Sequence, residues 1–317
     1  MNRLSELLLK GLGLLLMLAA LAFAVAKAPD RSLESLLPRW APAPSDFVDV
    51  DGQLVHFRDQ GPSSDTLPLV LIHGTSASLH TWEAWAGDLS KTRRVISFDL
   101  PGFGLTGPNA DQDYSDARYV AFVRALLSRL GVGRAIVVGN SLGGEIAWQL
   151  ALTEPQRVAG LVLVDAAGYD FVPESIPIGF RVARTPVLRE LTRWVLPRRA
   201  VEDSVRNVYG DPARITTALV DRYYELTLRE GNRAALLRRI DQLAPGPVQR
   251  LAEIHVPTLI LWGEQDRLIP PRWGHAFEKE IPGSHLVSFP GLGHVPQEED
   301  PAATLAALRA WLPQVSR

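Results

Sequence analysis

The stretch with the clearest chemical potential is Ile136 to Gly144, IVVGNSLGG, where a short apolar run stops at a serine held between glycines. Gly139-Asn140-Ser141-Leu142-Gly143 fits G-x-S-x-G, a tight strand-to-helix turn that lifts a serine hydroxyl clear of a sheet, with small neighbours to prevent a clash. Ser141 is the candidate nucleophile. Ala135 to Val138 suits a strand buried on both faces. The following GEIAWQLAL reads as a helix, so the amide of Leu142 points at any oxyanion formed beside Ser141. A serine nucleophile further needs a base, an acid that orients the base, and a second oxyanion donor, and one recurrent chain order for the three side chains is Ser, acid, His.

His294 supplies the base. It lies in Gly291-Leu292-Gly293-His294, the loop after Ser284 to Phe289, which predicts a strand. His255 and His275 lack a strand-end position, and His285 begins a strand. Two carboxylates compete as the acid: Asp165, which ends the apolar run Val158 to Val164, and Asp266, just beyond Pro257 to Trp262. Both follow Ser141 and end a strand, so position alone leaves both open. The second oxyanion donor is expected after Leu67 to Ile72, in His73-Gly74-Thr75-Ser76, where Gly74 lets the backbone approach and Thr75 presents its N–H, with Ser76 in reserve. His73 reads as a structural hydrogen-bonding residue. Asp99 precedes Ser141 and a Pro-Gly turn, and reads as a loop staple.

These groups need a scaffold whose strand ends converge. Asp51-Gly52 between Phe47 to Asp51 and Gln53 to Phe57 predicts a hairpin. Arg94 to Phe98 predicts a further strand, and Tyr114 to Leu130 a helix closed by Gly131. Short apolar runs alternating with helices imply an α/β fold with a mostly parallel sheet, helices on both faces and ligands at the carboxyl ends of the strands. Residues 170–250 break the alternation: prolines 173, 177, 186, 197 and 212 delimit short segments, and Arg214 to Leu243 has helical spacing with no strand between. This insertion is expected to form a helical cap over the strand ends, splitting the core into 46–169 and 251–317. Phe171, Ile176, Ile178, Phe180, Val187, Leu191, Trp194 and the pair Tyr223-Tyr224 could line a pocket beneath it.

Composition sets outer limits. With 317 residues and a formal charge of −2, the chain gives no support for a nucleic-acid partner, and the absence of cysteine excludes disulfides, thiolate catalysis and Cys-ligated zinc. Charge is uneven, however: residues 181–250 hold 14 Arg against 8 Asp plus Glu, a net of +6 that suits a solvated surface or one beside an anionic bilayer. Residues 1–26 predict a membrane anchor or a signal peptide, since Gly11 to Ala26 is uncharged and Arg3 and Lys10 precede it. A retained anchor places membrane association in residues 7–26 and the catalytic body on the exported side, whereas cleavage near Ala26 would release a soluble exported protein. Residues 27–45 hold prolines 29, 38, 42 and 44 and read as a linker, so a chain starting near Pro42 is expected to be soluble and active.

Taken together, LVLIHGTSAS with Trp82 after it, FDLPGFGLT, VVGNSLGG, LILWGEQDRLIP and GLGHVPQEEDP resemble the α/β-hydrolase superfamily, of the cap-bearing kind, from about residue 46 to 313. The resemblance implies an eight-stranded sheet, a Ser141/Asp266/His294 triad in which Asp266 is favoured over Asp165, and oxyanion amides from Thr75 and Leu142, with no cofactor or metal. It implies a serine hydrolase cleaving a small to medium hydrophobic carboxylic ester. The GNS elbow is similar to that of hydrolases that cleave carbon–carbon bonds in ring-fission products, although a tryptophan usually follows the histidine there and Val295-Pro296 follows it here. Related epoxide hydrolases and haloalkane dehalogenases use an aspartate nucleophile, against which Ser141 argues. A non-catalytic ligand-binding module on the same fold would have no need of all three triad groups.

Overall fold

The computed structural model describes residues 3–170, 173–176, 181–182 and 184–315. Helix α1 (Arg3–Ala26) contains the apolar stretch Ser5–Ala26, 22 residues with an 18-residue window of mean hydropathy 2.3 that is not buried against the rest of the protein among the described residues. At 1.5 Å per residue it reaches about 33 Å, enough for the roughly 30 Å hydrocarbon layer of a bilayer. Counting uncharged residues alone gives a shorter segment, because the helix runs through Lys10.

Residues 27–45 do not form the spacer that their prolines suggest. They fold a helix, α2 (Leu33–Trp40), capped by the Ser32 side chain. LESLLPRW places Leu33, Leu36, Leu37 and Trp40 on one stripe, and Leu36 and Trp40 are buried by it. This amphipathic spacing outweighs the prolines as a signal, since Pro38 leaves the apolar stripe unbroken.

The hairpin forms where Asp51-Gly52 predicts it. β1 (Ser45–Val50) and β2 (Gln53–Gln60) pair antiparallel with Val50 opposite Gln53, and the two turn residues take φ 54° and 83°, both positive as a tight hairpin turn requires. Next come β3 (Leu69–Ile72), α3 (Glu83–Leu89), β4 (Val95–Phe98), α4 (Asp116–Arg129), β5 (Ala135–Asn140), α5 (Leu142–Thr153) and β6 (Val158–Val164). After the insertion the alternation resumes with β7 (Thr258–Gly263), while the insertion itself holds α6 (Pro186–Arg189), α7 (Arg198–Val208), α8 (Thr217–Thr227) and α9 (Asn232–Asp241). The chain ends with α10 (Arg272–Glu280), β8 (His285–Phe289), α11 (Pro296–Glu299) and α12 (Pro301–Trp311).

The eight strands form one sheet in the order β1-β2-β4-β3-β5-β6-β7-β8, parallel from β4 through β8. Strand residues divide by parity between its two faces. Val70, Ile72, Val137, Leu161 and Leu163 pack on the face covered by α4, α5 and α10, and Leu71, Val138, Val162 and Val164 on the face covered by α3 and α12. Both faces being covered explains why these strands read as continuous apolar runs. The fold is therefore the α/β sheet expected, with the ends of β3, β5, β6, β7 and β8 pointing the same way.

Candidate active site

β5 stops at Asn140 and α5 starts at Leu142, leaving Ser141 alone at the turn with φ 55° and ψ −118°. A non-glycine residue there stores about 1–3 kcal/mol of strain. It is held by three hydrogen bonds of 3.0 Å: the Ser141 N–H donates to the Val164 carbonyl, and its own carbonyl accepts from Glu145 and Ala167. A Cβ on Gly139 would run into the Gly143 carbonyl, and one on Gly143 into the carbonyl of Ile72, so both glycines are needed where β3, β5 and α5 meet. A Cβ on Gly74 would come 3.0 Å from that of Ser141, so the β3 loop passes directly beside the serine.

The β7 and β8 loops bring the other two groups together. Nδ1 of His294 is 2.7 Å from Oδ2 of Asp266, and both side chains are buried. A carboxylate can only accept, so Nδ1 carries the proton and Nε2 is left free to act as a base. Asp266 is fixed in turn, its Oδ1 accepting the amides of Leu268 (2.8 Å) and Ile269 (2.9 Å). Ser141 and His294 line one pocket, and so do Thr75 and Ser76. Leu142, as the first residue of α5, has no carbonyl one turn earlier in the helix to bond, which leaves its N–H available at the helix's positive end.

Asp165 is not remote from this set: ligand-type atoms of Asp165, Asp266 and His294 all lie within 4.8 Å of one another. Three such groups could hold a metal, but the direct contact of 2.7 Å between His294 and Asp266 is too short for two ligands of one tetrahedral zinc, which stand about 3.3 Å apart at bonds of about 2.0 Å. The remaining candidates take structural roles. His73 accepts the Leu100 N–H at Nε2 and donates from Nδ1 to the Gly74 carbonyl, and its burial pushes its pKa down. Asp99 accepts from Leu79, Leu105 and His56, which staples two loops.

The family profile of the alpha/beta hydrolase fold matches residues 68–301 of this chain. The chain belongs to the α/β-hydrolase family. Its relatives differ widely in the chemistry their names record. It is 31% identical over 266 residues to the dihydrolipoyllysine-residue acetyltransferase component of the acetoin cleaving system of Cupriavidus necator, covering 82% of this chain and 66%, just under two thirds, of that longer protein. It is 30% identical to 2-hydroxymuconate semialdehyde hydrolase of Pseudomonas putida over 78% of this chain and 86% of that one. Among solved structures, a bacterial membrane phospholipase A superposes with a TM-score of 0.74 at 26% identity, covering 98% of this chain and 99% of its own.

Two residues of this α/β hydrolase hold the loops together in a role that their place in the motifs does not announce. Asn140, inside the elbow, donates its side-chain amide to the carbonyls of Val164 (3.1 Å) and His294 (2.9 Å), so it ties β5, β6 and the histidine loop. Glu299 accepts from Gly293 (2.7 Å) and from Gly210 (2.8 Å), joining that loop to the insertion, while the His294 N–H donates to Val208 (2.7 Å). Burial outweighs these donors and raises the Glu299 pKa. Asn140→Ala would take the donor from the buried His294 carbonyl, while the Val164 carbonyl keeps the Ser141 N–H, and is expected to cost about 1–3 kcal/mol, read as a lower midpoint in denaturant titration.

The pocket over Ser141 has a volume of about 540 Å³. Its wall includes Ile176, Leu196, Val201, Val205 and Tyr223 from the insertion and Leu268 from the core. Leu191 and Trp194 stand at the surface instead, with Trp194 62% exposed. Phe171, Ile178 and Phe180 lie outside the described residues, as does the side chain of Val187.

Proposed function

We propose that the protein is a serine hydrolase of carboxylic esters, with Ser141 as nucleophile, His294 as base and Asp266 as its orienting acid. The observation that carries this reading is the 2.7 Å contact between His294 and Asp266 in the same pocket as the strained Ser141. The serine hydroxyl attacks the acyl carbonyl as its proton passes to Nε2 of His294, and the amides of Leu142 and Thr75 bind the oxyanion. The bond to the alcohol oxygen breaks as His294 returns the proton to it. Water, deprotonated by His294 in turn, releases the acid.

The substrate we infer is a hydrophobic acyl ester drawn from a membrane, bound under residues 170–250 as a cap. A pocket of about 540 Å³ with a mostly apolar wall, although Glu145, Arg184 and Arg233 also line it, suits an alkyl chain better than a polar substrate. The end of α1 also stands beside the pocket wall: the Leu196 N–H donates to the Ala26 carbonyl (3.2 Å), and Ala28 donates to Trp194 (2.9 Å). With α1 in a bilayer, the exposed Leu188, Leu191 and Trp194 lie where an interfacial aromatic and its apolar neighbours are favoured, and the catalytic body sits on the exported side. The likeness to a membrane phospholipase A along 98% of the chain is in keeping with this.

Hydrolysis of a carbon–carbon bond in a vinylogous diketone is the second reading, favoured by Asn140 in the elbow and by the name of the Pseudomonas putida relative. Turnover of p-nitrophenyl esters from butyrate to palmitate, measured beside a ring-fission diketone, separates the two. Ester cleavage that peaks at medium chain length is the expected result. Turnover of the diketone with esters untouched would overturn the esterase reading.

A further inference from the structure

β6 ends in a carboxyl group that the proposed chemistry leaves unused. Asp165 is fully buried, and its backbone is held at φ 44°, a conformation that costs energy for a non-glycine residue. Its Oδ1 accepts the Gly263 N–H (3.0 Å), and among the described residues its Oδ2 has no donor. What lies near Asp165 is the Asp266 carboxyl and the His294 ring, with an oxygen of each carboxyl and a ring nitrogen all within 4.8 Å of one another. The next charged neighbour, Glu299, is of the same sign.

Two carboxylates within 4.8 Å of each other and buried away from water do not both carry charge, so one of them holds a proton. Donor count decides which. Asp266 receives three hydrogen bonds, from Leu268, Ile269 and His294, whereas Asp165 receives one from Gly263. Charge stays where more donors stabilise it, and the proton goes to Asp165. Burial first, and the Asp266 charge second, push the Asp165 carboxyl well above the usual range, in the same direction.

We propose that Asp165 is a neutral acid whose Oδ2–H donates to the Asp266 carboxylate, and that this hydrogen bond sets how strongly Asp266 holds the His294 imidazolium. Asp165 is then a positioning residue that acts through Asp266. By drawing charge from Asp266, the donated proton tempers the pull of that carboxylate on the imidazolium formed when Ser141 gives up its proton. Asp165 is also a reserve acid, because loss of the Asp266 charge removes the second cause of its protonation and leaves chiefly burial to hold the proton. The inference rests on the Ser141, His294 and Asp266 reading.

The test combines variants with a measurement that needs no turnover. A difference infrared spectrum of the full chain against Asp165→Asn at pH 7 should show the carbonyl stretch of one protonated carboxylic acid, lost in the variant. Its absence would place the charge on Asp165 and overturn the proposal, whatever the enzyme's substrate. In ester turnover, Asp165→Asn exchanges one neutral donor for another, so kcat should stay within about threefold and the acid limb of the kcat/KM profile should not move. Had Asp165 been charged, removing that charge would make His294 less basic and shift the limb to lower pH. Asp165→Ala removes the donor, leaves Asp266 the stronger partner, and should shift the limb to higher pH while kcat falls about ten- to hundredfold at unchanged KM. A lower melting temperature with no shift in the limb would reduce Asp165 to a structural part and sink the idea. Finally, the residual activity of Asp266→Asn should fall at least tenfold further in Asp165→Asn/Asp266→Asn, and equality of the two would remove the reserve role. Failure of Ser141→Ala to abolish turnover would refute the catalytic reading alone, since the infrared band would still report the proton.

Discussion

Ser141→Ala and His294→Ala are each expected to lower kcat on a p-nitrophenyl ester by about four to six orders of magnitude, and together by little more than either alone. The non-additivity is the informative part. If Ser141 attacks only when His294 takes its proton, removing either group disables the same step, so the second substitution finds almost nothing left to remove. What remains would come from substrate binding and from the amides of Leu142 and Thr75, which neither change touches. Asp266→Asn should cost less than either, about two to four orders, because Asp165 stands behind it. Folding should survive. Ser141→Ala leaves the backbone bonds of Ser141 to Val164, Glu145 and Ala167 in place, so its melting temperature is expected within a few degrees of the parent. A Ser141→Ala protein that kept a tenth of its activity with an unchanged melting curve would remove serine as the nucleophile.

The parts of this site that could be read in the sequence are those fixed by local backbone physics. The elbow is legible because Gly139 and Gly143 have no room for a Cβ, and steric exclusion of that kind leaves a mark on residue type. His294 is legible from a glycine-rich loop after an apolar run, and the buried strands from runs with both faces covered. What the sequence hides depends on which distant groups come into contact. Asp165 and Asp266 look alike as strand-end acids, and they do lie side by side, so no choice of one by spacing describes the pair. Asn140 is an ordinary elbow residue until its amide is seen to reach the carbonyl of His294, 154 positions away. The helical pattern over Arg214 to Leu243 conceals a break at Gly231, whose φ of 85° turns α8 into α9. The proline-rich stretch misleads for a different reason: proline counts describe the chain's stiffness, whereas burial of Leu36 and Trp40 is decided by the partner they meet.

That partner makes the N-terminal stretch the place where shortening should have the largest effect on stability. A chain beginning near Lys27 loses α1 alone and is expected to leave the membrane fraction while keeping its melting temperature and its turnover of short soluble esters, because the apolar stretch of α1 is not buried against the body. A chain beginning near Pro42 loses far more. It gives up Leu36, 1% exposed, and Trp40, 9% exposed, which cover Leu105 and Leu226. Truncating a buried leucine or tryptophan costs about 2–5 kcal/mol, a large share of the roughly 5–15 kcal/mol that holds a domain together. It also strips partners from α8 and α9. Glu225 loses Arg39 (2.7 Å) and the Trp40 indole N–H (2.7 Å), and Arg233, a pocket-lining residue only 6% exposed, loses Asp30 (2.5 Å). A buried guanidinium without its carboxylate is strongly unfavourable, although Asp30 is 42% exposed at its own end and solvent screens part of the pair. The loss should reach the site, because α7, whose Val208 carbonyl holds the His294 amide, is tied to α8 through Arg198 and Asp221 (2.6 Å). The Pro42 chain is therefore expected to melt about 10 °C or more below the Lys27 chain and to lose most of its turnover of every ester alike. Equal melting temperatures for the two would show that α2 only rests on the cap and adds nothing to its stability.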